Sequence, residues 1–143
     1  DWVWGEPARF TARTFLSKGA PTYMYQFGYV PAAAQQRSPY GAGHGSEVSF
    51  VFNNLNARWG PPAEATPQEK ELAKVMSSYW ANFARTGNPN GEGLPKWPLY
   101  NNQDMLDVEL DGKTVSKPDP RKARFDVIEK AFKNRTRLQS RGI

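Results

Sequence analysis

Residues 6–30, EPARFTARTFLSKGAPTYMYQFGYV, decide the fold class. Over 6–18 the spacing is helical: Pro7 suits the first position, and Ala8, Ala12, Phe15 and Leu16 form one apolar stripe. Gly19 can end the helix in a left-handed conformation. After Pro21 the pattern alternates, which predicts a strand over 22–30 with Tyr23, Tyr25, Phe27 and Tyr29 on one face. Met24, Gln26 and Gly28 fall on the other face. Helix, tight glycine turn and strand make up a unit of an α/β sheet. One such strand cannot form a sheet alone.

Working outward, residues 31–46 are loop by content, with Gln35-Gln36, Ser38-Pro39 and glycines at 41, 43 and 45. Val48–Phe52 reads as a short helix or turn, and Arg58–Ala65 as a Pro/Gly connector. A long helix opens on Thr66-Pro67-Gln68-Glu69, a capping box in which Thr66 and Glu69 satisfy each other's amides and Pro67 takes the first position. Leu72, Val75, Met76, Tyr79, Trp80 and Phe83 then recur with a helical period, giving one broad aromatic face to bury. Gly87 and Asn88-Pro89-Asn90-Gly91 stop this helix. Trp97-Pro98-Leu99-Tyr100 reads as an anchored loop. Met105–Leu110 and Lys113–Ser116 flank Asp111-Gly112, the signature of a two-residue hairpin turn. Asp119-Pro120 caps a last helix with Phe125, Ile128 and Phe132 facing inward, and residues 136–143 read as a frayed tail.

The chain has 143 residues, one domain's worth, with 38% hydrophobic and 13% aromatic residues. Each ring removes about 150–250 Å² from water when buried, so this many rings point to a larger neighbour. The net charge of +5 raises nucleic acid as a partner, but residues 121–141 carry eight Lys and Arg against two acids and supply most of the excess. That is a solvated helix face, and the aromatics are not interleaved with it. Without cysteine there is no disulfide, thiolate chemistry or Cys-based metal site. No apolar run approaches the roughly 20 residues of a membrane span. The opening Asp1-Trp2-Val3-Trp4 has the look of a processed or internal start.

His44 is the one histidine. A lone histidine is ordinarily structural. This one follows a predicted strand, and catalytic groups of α/β folds gather at the carboxyl ends of strands. Gly43 and Gly45 leave its ring open on both sides. As a metal ligand it lacks a second His or Cys. As a general base it needs a nucleophile and an orienting acid. Ser46 is too near in sequence, and no Gly-x-Ser-x-Gly elbow occurs.

Phe27-Gly28-Tyr29, followed by Gly41-Ala42-Gly43-His44-Gly45-Ser46-Glu47-Val48-Ser49-Phe50-Val51-Phe52, resembles the catalytic-histidine segment of the type-B carboxylesterases, the cholinesterase-like family of α/β-hydrolases. Residues 79–90, YWANFARTGNPN, resemble that family's Trp-x-x-Phe-Ala-x-x-Gly-x-Pro-Asn helix end, and Trp97-Pro98-Leu99-Tyr100 its Trp-Pro-x-Tyr loop. Three separated motifs in register cover nearly the whole chain.

The resemblance implies that residues 1–143 are the C-terminal part of one α/β-hydrolase domain, completed by an N-terminal fragment of the same enzyme that carries the serine and the acid. It implies hydrolysis of a small-molecule ester through an acyl-serine, with His44 as base and no cofactor. Two roles fit Glu47: a carboxylate behind the triad, or an acid at a helix N-terminus. Tyr40 and Ala42 would border the cleft. Animal members are rich in disulfides, so a cysteine-free chain favours a bacterial, periplasmic or secreted enzyme. The family also contains adhesion modules; against that reading stands the intact His44. A nucleic-acid-binding domain on the last helix is the other rival, and it predicts affinity falling steeply with salt.

Overall fold

The computed structural model describes residues 3–57, 64–102, 104–109 and 111–139. Most of the expected 58–65 connector, Leu110 near the hairpin tip and residues 140–143 of the expected tail lie outside them. The elements run α1 (Gly5–Ser17), β1 (Tyr25–Phe27), a 3-10 helix (Ala32–Arg37), α2 (Val48–Val51), a 3-10 turn (Leu55–Ala57), α3 (Pro67–Thr86), β2 (Asp104–Val108), β3 (Thr114–Pro118) and α4 (Lys122–Gln139). The chain divides into two compact units, one from residues 25–98 and 106–116, the other from 1–24, 99–105 and 117–143.

In the first unit α3 is fixed by its caps. Thr66 Oγ1 accepts from the Glu69 amide (3.1 Å) and Glu69 Oε2 from the Thr66 amide (2.7 Å), the expected capping box. Gly87 closes the helix at φ 74°. Leu72, Ala73, Met76 and Tyr79 are buried, and only the last turn departs from the expected face, since Phe83 stays half exposed. Tyr29, Phe50, Leu72, Ala73, Met76 and Val108 make one cluster, flanked by Tyr25, Phe27 and Trp80.

The expected strand over 22–30 contracts to Tyr25–Phe27 because a ladder exists only where a partner lies alongside. Tyr25, Gln26 and Phe27 pair in parallel with Leu106, Asp107 and Val108, and the sheet order is β1-β2-β3. Parallel pairing needs a long crossover, which α3 provides. The alternation survives the contraction: Tyr25 meets Trp80 (5.0 Å between centroids), and Phe27 and Tyr29 both meet Phe50 (5.4 and 5.5 Å). The expected loop after β1 contains the 3-10 helix Ala32–Arg37.

At the hairpin the described residues on either side of the tip are joined by two backbone hydrogen bonds. Gly112 N donates to Glu109 O and Glu109 N to Lys113 O, each at 2.8 Å. A two-residue turn of the Asp-Gly kind needs positive φ at both positions, and only Gly112 adopts it. The Gln68 side chain donates to the Asp111 carbonyl and the Lys113 amide to Asp111 Oδ1 (2.9 Å), which holds the tip.

Two motifs meet in this unit. Asn90 Oδ1 accepts from the Trp97 amide (2.7 Å) while Asn90 Nδ2 donates to the Trp97 carbonyl (2.9 Å). Tyr79 Oη donates to Pro95 O (2.5 Å), and the Tyr79 and Trp97 rings cross edge to face at 5.2 Å. The helix end and the Trp-Pro loop are thus one clamp, which accounts physically for both motifs.

In the other unit α1 packs on α4, and here the expected apolar stripe is wrong. Ala8 and Phe15 are exposed; the buried face is Glu6, Arg9 and Ala12. Arg9 donates to Glu6 (2.7 Å), to Asp126 (2.7 Å) and to Glu129 (3.4 Å), so a charged network occupies the seam. Burial opposes the Arg9 charge, but the hydrogen bonds it donates to Asp126 and Glu6 and the charges of both outweigh it and raise its pKa. Phe125 lies beneath two guanidinium groups, Arg9 at 5.3 Å and Arg121 at 5.1 Å. A Cβ at Gly5 would come within 2.6 Å of the Phe125 ring, so only glycine allows this approach. Pro7 sits third in α1, not first, among the amides that need no helical partner. Asp119 opens α4 as expected, its Oδ1 accepting from Arg121 N at 2.8 Å. Of the expected inward residues of α4, Phe125 is buried, Ile128 half-buried and Phe132 more exposed. The helix continues through Gln139, past residue 136.

Candidate active site

The candidate residues all lie in one short stretch, 40–47, between the 3-10 helix and α2. Gly41 N donates to Ser38 O (3.0 Å), Ser46 N to Gly43 O (3.2 Å) and Val48 N to Gly45 O (3.2 Å), so successive turns lead into the helix. Gly41 (φ 91°) and Gly45 (φ 78°) adopt the left-handed region that side chains resist. Phe50, 2% exposed, ties the end of this stretch to Phe27 and Tyr29. The backbone around His44 is therefore anchored from the core while the His44 side chain itself is exposed.

Tyr40 is fully exposed and Gly43 exposed; Ala42, Gly45 and Glu47 are half-buried. Ser46 Oγ donates to the Gly43 carbonyl (2.8 Å), bridging the turn around His44. That bond occupies the one hydroxyl adjacent in sequence. Ser49 is buried in α2 and equally unsuited to attack a substrate. Among the described residues no three His, Cys, Asp or Glu side chains gather as metal ligands.

Glu47 stands at the N-cap of α2 but makes no capping hydrogen bond with its side chain. Its charge is felt by Tyr25, whose hydroxyl is pushed up to about 12, first by burial and then by Glu47. Sequence reasoning missed Tyr25 in this setting. The available signal was its place on the same strand face as Phe27 and Tyr29, which faces α2. It also missed the Ser46 bridge, since a serine beside glycines carries no mark of the bond it makes.

The family model described as "Carboxylesterase family" matches residues 1–128. A liver carboxylesterase of Sus scrofa is 42% identical over 106 residues, 73% of this chain and 18% of that protein. Carboxylesterase 5A of Canis lupus familiaris is 43% identical over 109 residues, 73% of this chain and 19% of its own length. The chain thus spans about a fifth of the length of the curated relatives it matches. Among solved structures, a Geobacillus stearothermophilus carboxylesterase superposes with a TM-score of 0.61 at 32% identity, covering 82% of this chain and 24% of that one. A thermophilic PNB esterase gives 0.61 at 35%, covering 76% and 22%. These neighbours are α/β-hydrolases, and the expected fold class and resemblance stand. The chain belongs to the carboxylesterase family.

Proposed function

We propose that this chain supplies the general base of a carboxylic-ester hydrolase. His44 is the base; the serine nucleophile, the triad acid and the oxyanion donors come from an N-terminal portion of the same protein. The observation that carries this reading is an exposed imidazole on a backbone pinned by two left-handed glycines and the Phe50 anchor. Catalytic groups need such placement, because a fixed near-attack geometry replaces entropy otherwise lost in the reaction. Support for an additional portion is that β1, in parallel register with β2, has no strand on its other edge among the described residues.

In this reading His44 removes the serine proton as the hydroxyl attacks the ester carbonyl. The tetrahedral intermediate collapses to an acyl-serine, and the imidazolium returns the proton to the departing alcohol. Water then repeats the sequence and releases the carboxylic acid. No metal or organic cofactor enters these steps. Tyr40 and Ala42 border the cleft, Gly45 sets the left-handed turn beside His44, and Glu47 stands at the head of α2 with its charge near Tyr25.

The test is His44→Ala in the complete protein that carries this chain, with p-nitrophenyl acetate as substrate. A fall in kcat of roughly 10⁴-fold or more is expected for loss of a triad base. Activity kept within about tenfold removes His44 from the mechanism.

A further inference from the structure

Asn90 and Gly91 stand side by side because the clamp beyond the end of α3 requires each of them separately. Asn90 is needed as an amide. Its Nδ2 donates to Trp97 O and to Asn88 Oδ1, each at 2.9 Å, while its Oδ1 accepts from Trp97 N at 2.7 Å. Both donor hydrogens of the side chain are thus used, and Trp97 is only 5% exposed. Gly91 is needed for room. A Cβ there would come within 2.7 Å of Asn82 Nδ2, which donates to Pro89 O (3.2 Å).

The pair so formed is chemically reactive. Gly91 is exposed, no side chain shields its nitrogen, and among the described residues its amide donates no hydrogen bond. Once deprotonated by base, that nitrogen can attack Asn90 Cγ. The N–Cγ bond forms, the Cγ–Nδ2 bond breaks, and Nδ2 leaves as ammonia after taking a proton from water, giving a cyclic imide. Water then opens the ring to Asp or to iso-Asp. Asn88 precedes Pro89, whose nitrogen has no hydrogen to lose, so the same route is closed there.

We propose that Asn90-Gly91 is a self-modification site governed by the clamp. While closed, the clamp holds the Asn90 amide on Trp97 and blocks the attack; once it has opened and Asn90 has deamidated, it does not close again. The carboxylate that replaces the amide has no hydrogen to donate. It sets a negative charge against Trp97 O and Asn88 Oδ1, two acceptors that have lost their donor. Iso-Asp, in addition, lengthens the main chain by one methylene between 90 and 91. The change is one-way, so each molecule keeps a record of whether this corner has opened. The inference stands on the clamp alone and not on the esterase reading.

The experiment ages the complete protein in mildly alkaline buffer beside a synthetic peptide of residues 86–96. Trypsin releases the same segment from the protein, since Arg85 and Lys96 bound it, and fragmentation in the mass spectrometer assigns the gain in mass to Asn90 or Asn88. Asn90 should lose its amide at least about tenfold more slowly in the protein than in the peptide, because reaction waits on a local opening. Tyr79→Phe removes the bond to Pro95 O that holds the loop, and should speed the loss at least about threefold. The deamidated fraction, separated by its added charge, should show faster hydrogen exchange over residues 79–86 than the unreacted fraction, and Asn90→Asp should do the same. Equal rates in protein and peptide overturn the proposal. So does a gain at Asn88 in place of Asn90, a rate indifferent to Tyr79→Phe, or exchange unaltered by deamidation. If either variant fails to fold, the aged and unreacted fractions of the parent decide alone.

Discussion

Replacing Arg9 by Met tests whether the seam between α1 and α4 is held by charge. Arg9 and Glu6 are 2% and 3% exposed, and Met preserves much of the Arg9 stem. Removing one partner of a buried pair costs about 3–5 kcal/mol, because the remaining charge stays buried without compensation. Asp126 and Glu129 lose little, since Lys122 (2.7 Å), Arg13 (2.9 Å) and Lys133 (2.5 Å) still hold them. Glu6 keeps only Arg13, at 3.4 Å, so the cost falls at the lower end, about 3 kcal/mol. At 1.4 kcal/mol per decade, that predicts roughly 10²-fold faster native-state hydrogen exchange for amides of α1 and α4. The double variant Glu6→Gln/Arg9→Met removes the orphaned charge and should recover protection to within about 1 kcal/mol of the parent. Mass-spectrometric exchange on peptides spanning 5–17 and 122–139, in the complete protein, reads both. If Arg9→Met exchanges no faster than the parent, or the double variant no more slowly than the single, the seam is held by packing and the argument fails.

The same seam should be sensitive to acid. Hydrogen bonds from Lys122 and then Arg9 hold the Asp126 carboxyl below its usual value, and Lys133 and then Arg13 do so for Glu129. A depressed folded-state pKa adds stability above the unfolded value, about 4, which is lost as pH falls through the lower folded one. Exchange protection of α4, corrected for intrinsic rate, should hold from pH 7 to about 5 and decline below about 4. Burial pushes the Tyr25 and Tyr79 hydroxyls up to about 12, with Glu47 adding to the effect at Tyr25. Their raised pKa contributes stability below the ordinary value of about 10 that is lost as pH rises towards 12, and Tyr25→Phe or Tyr79→Phe should each remove one late-ionising phenol from a phenolate absorbance titration. Gly45→Ala, at φ 78°, should cost about 1–2 kcal/mol and lower kcat more than it raises KM. Gly43→Ala has open space and no left-handed backbone, so it should be nearly silent; equal losses in the two variants would remove backbone conformation as the reason for Gly45.

What could be read from the sequence was what local chemistry determines. The α3 helix carried its own start and stop signals in Thr66, Glu69 and Gly87, and it formed as expected. The inward alternation of Tyr25, Phe27 and Tyr29 held for a similar reason, a period intrinsic to the strand. The length of β1 did not, because it depends on where Leu106–Val108 happen to lie alongside. The buried face of α1 was misread because the acids Asp126 and Glu129 that make burial of Arg9 tolerable lie more than a hundred residues away. At the candidate site, glycine spacing and family resemblance singled out His44, but neither the Ser46 bridge nor the influence of Glu47 on Tyr25 leaves a trace in spacing.

The α1–α4 seam also bears on how the chain is made. From the end of α1 at Ser17 to the start of α4 at Lys122 is 105 residues, about 5–20 s of synthesis at usual ribosomal rates. Throughout that interval α1 waits without its partner. A helix that buries Leu and Phe would present a sticky stripe to every neighbouring nascent chain. The face that waits here is Glu6, Arg9 and Arg13, which water solvates well, so the side of α1 destined for α4 adds no apolar stripe to the emerging chain.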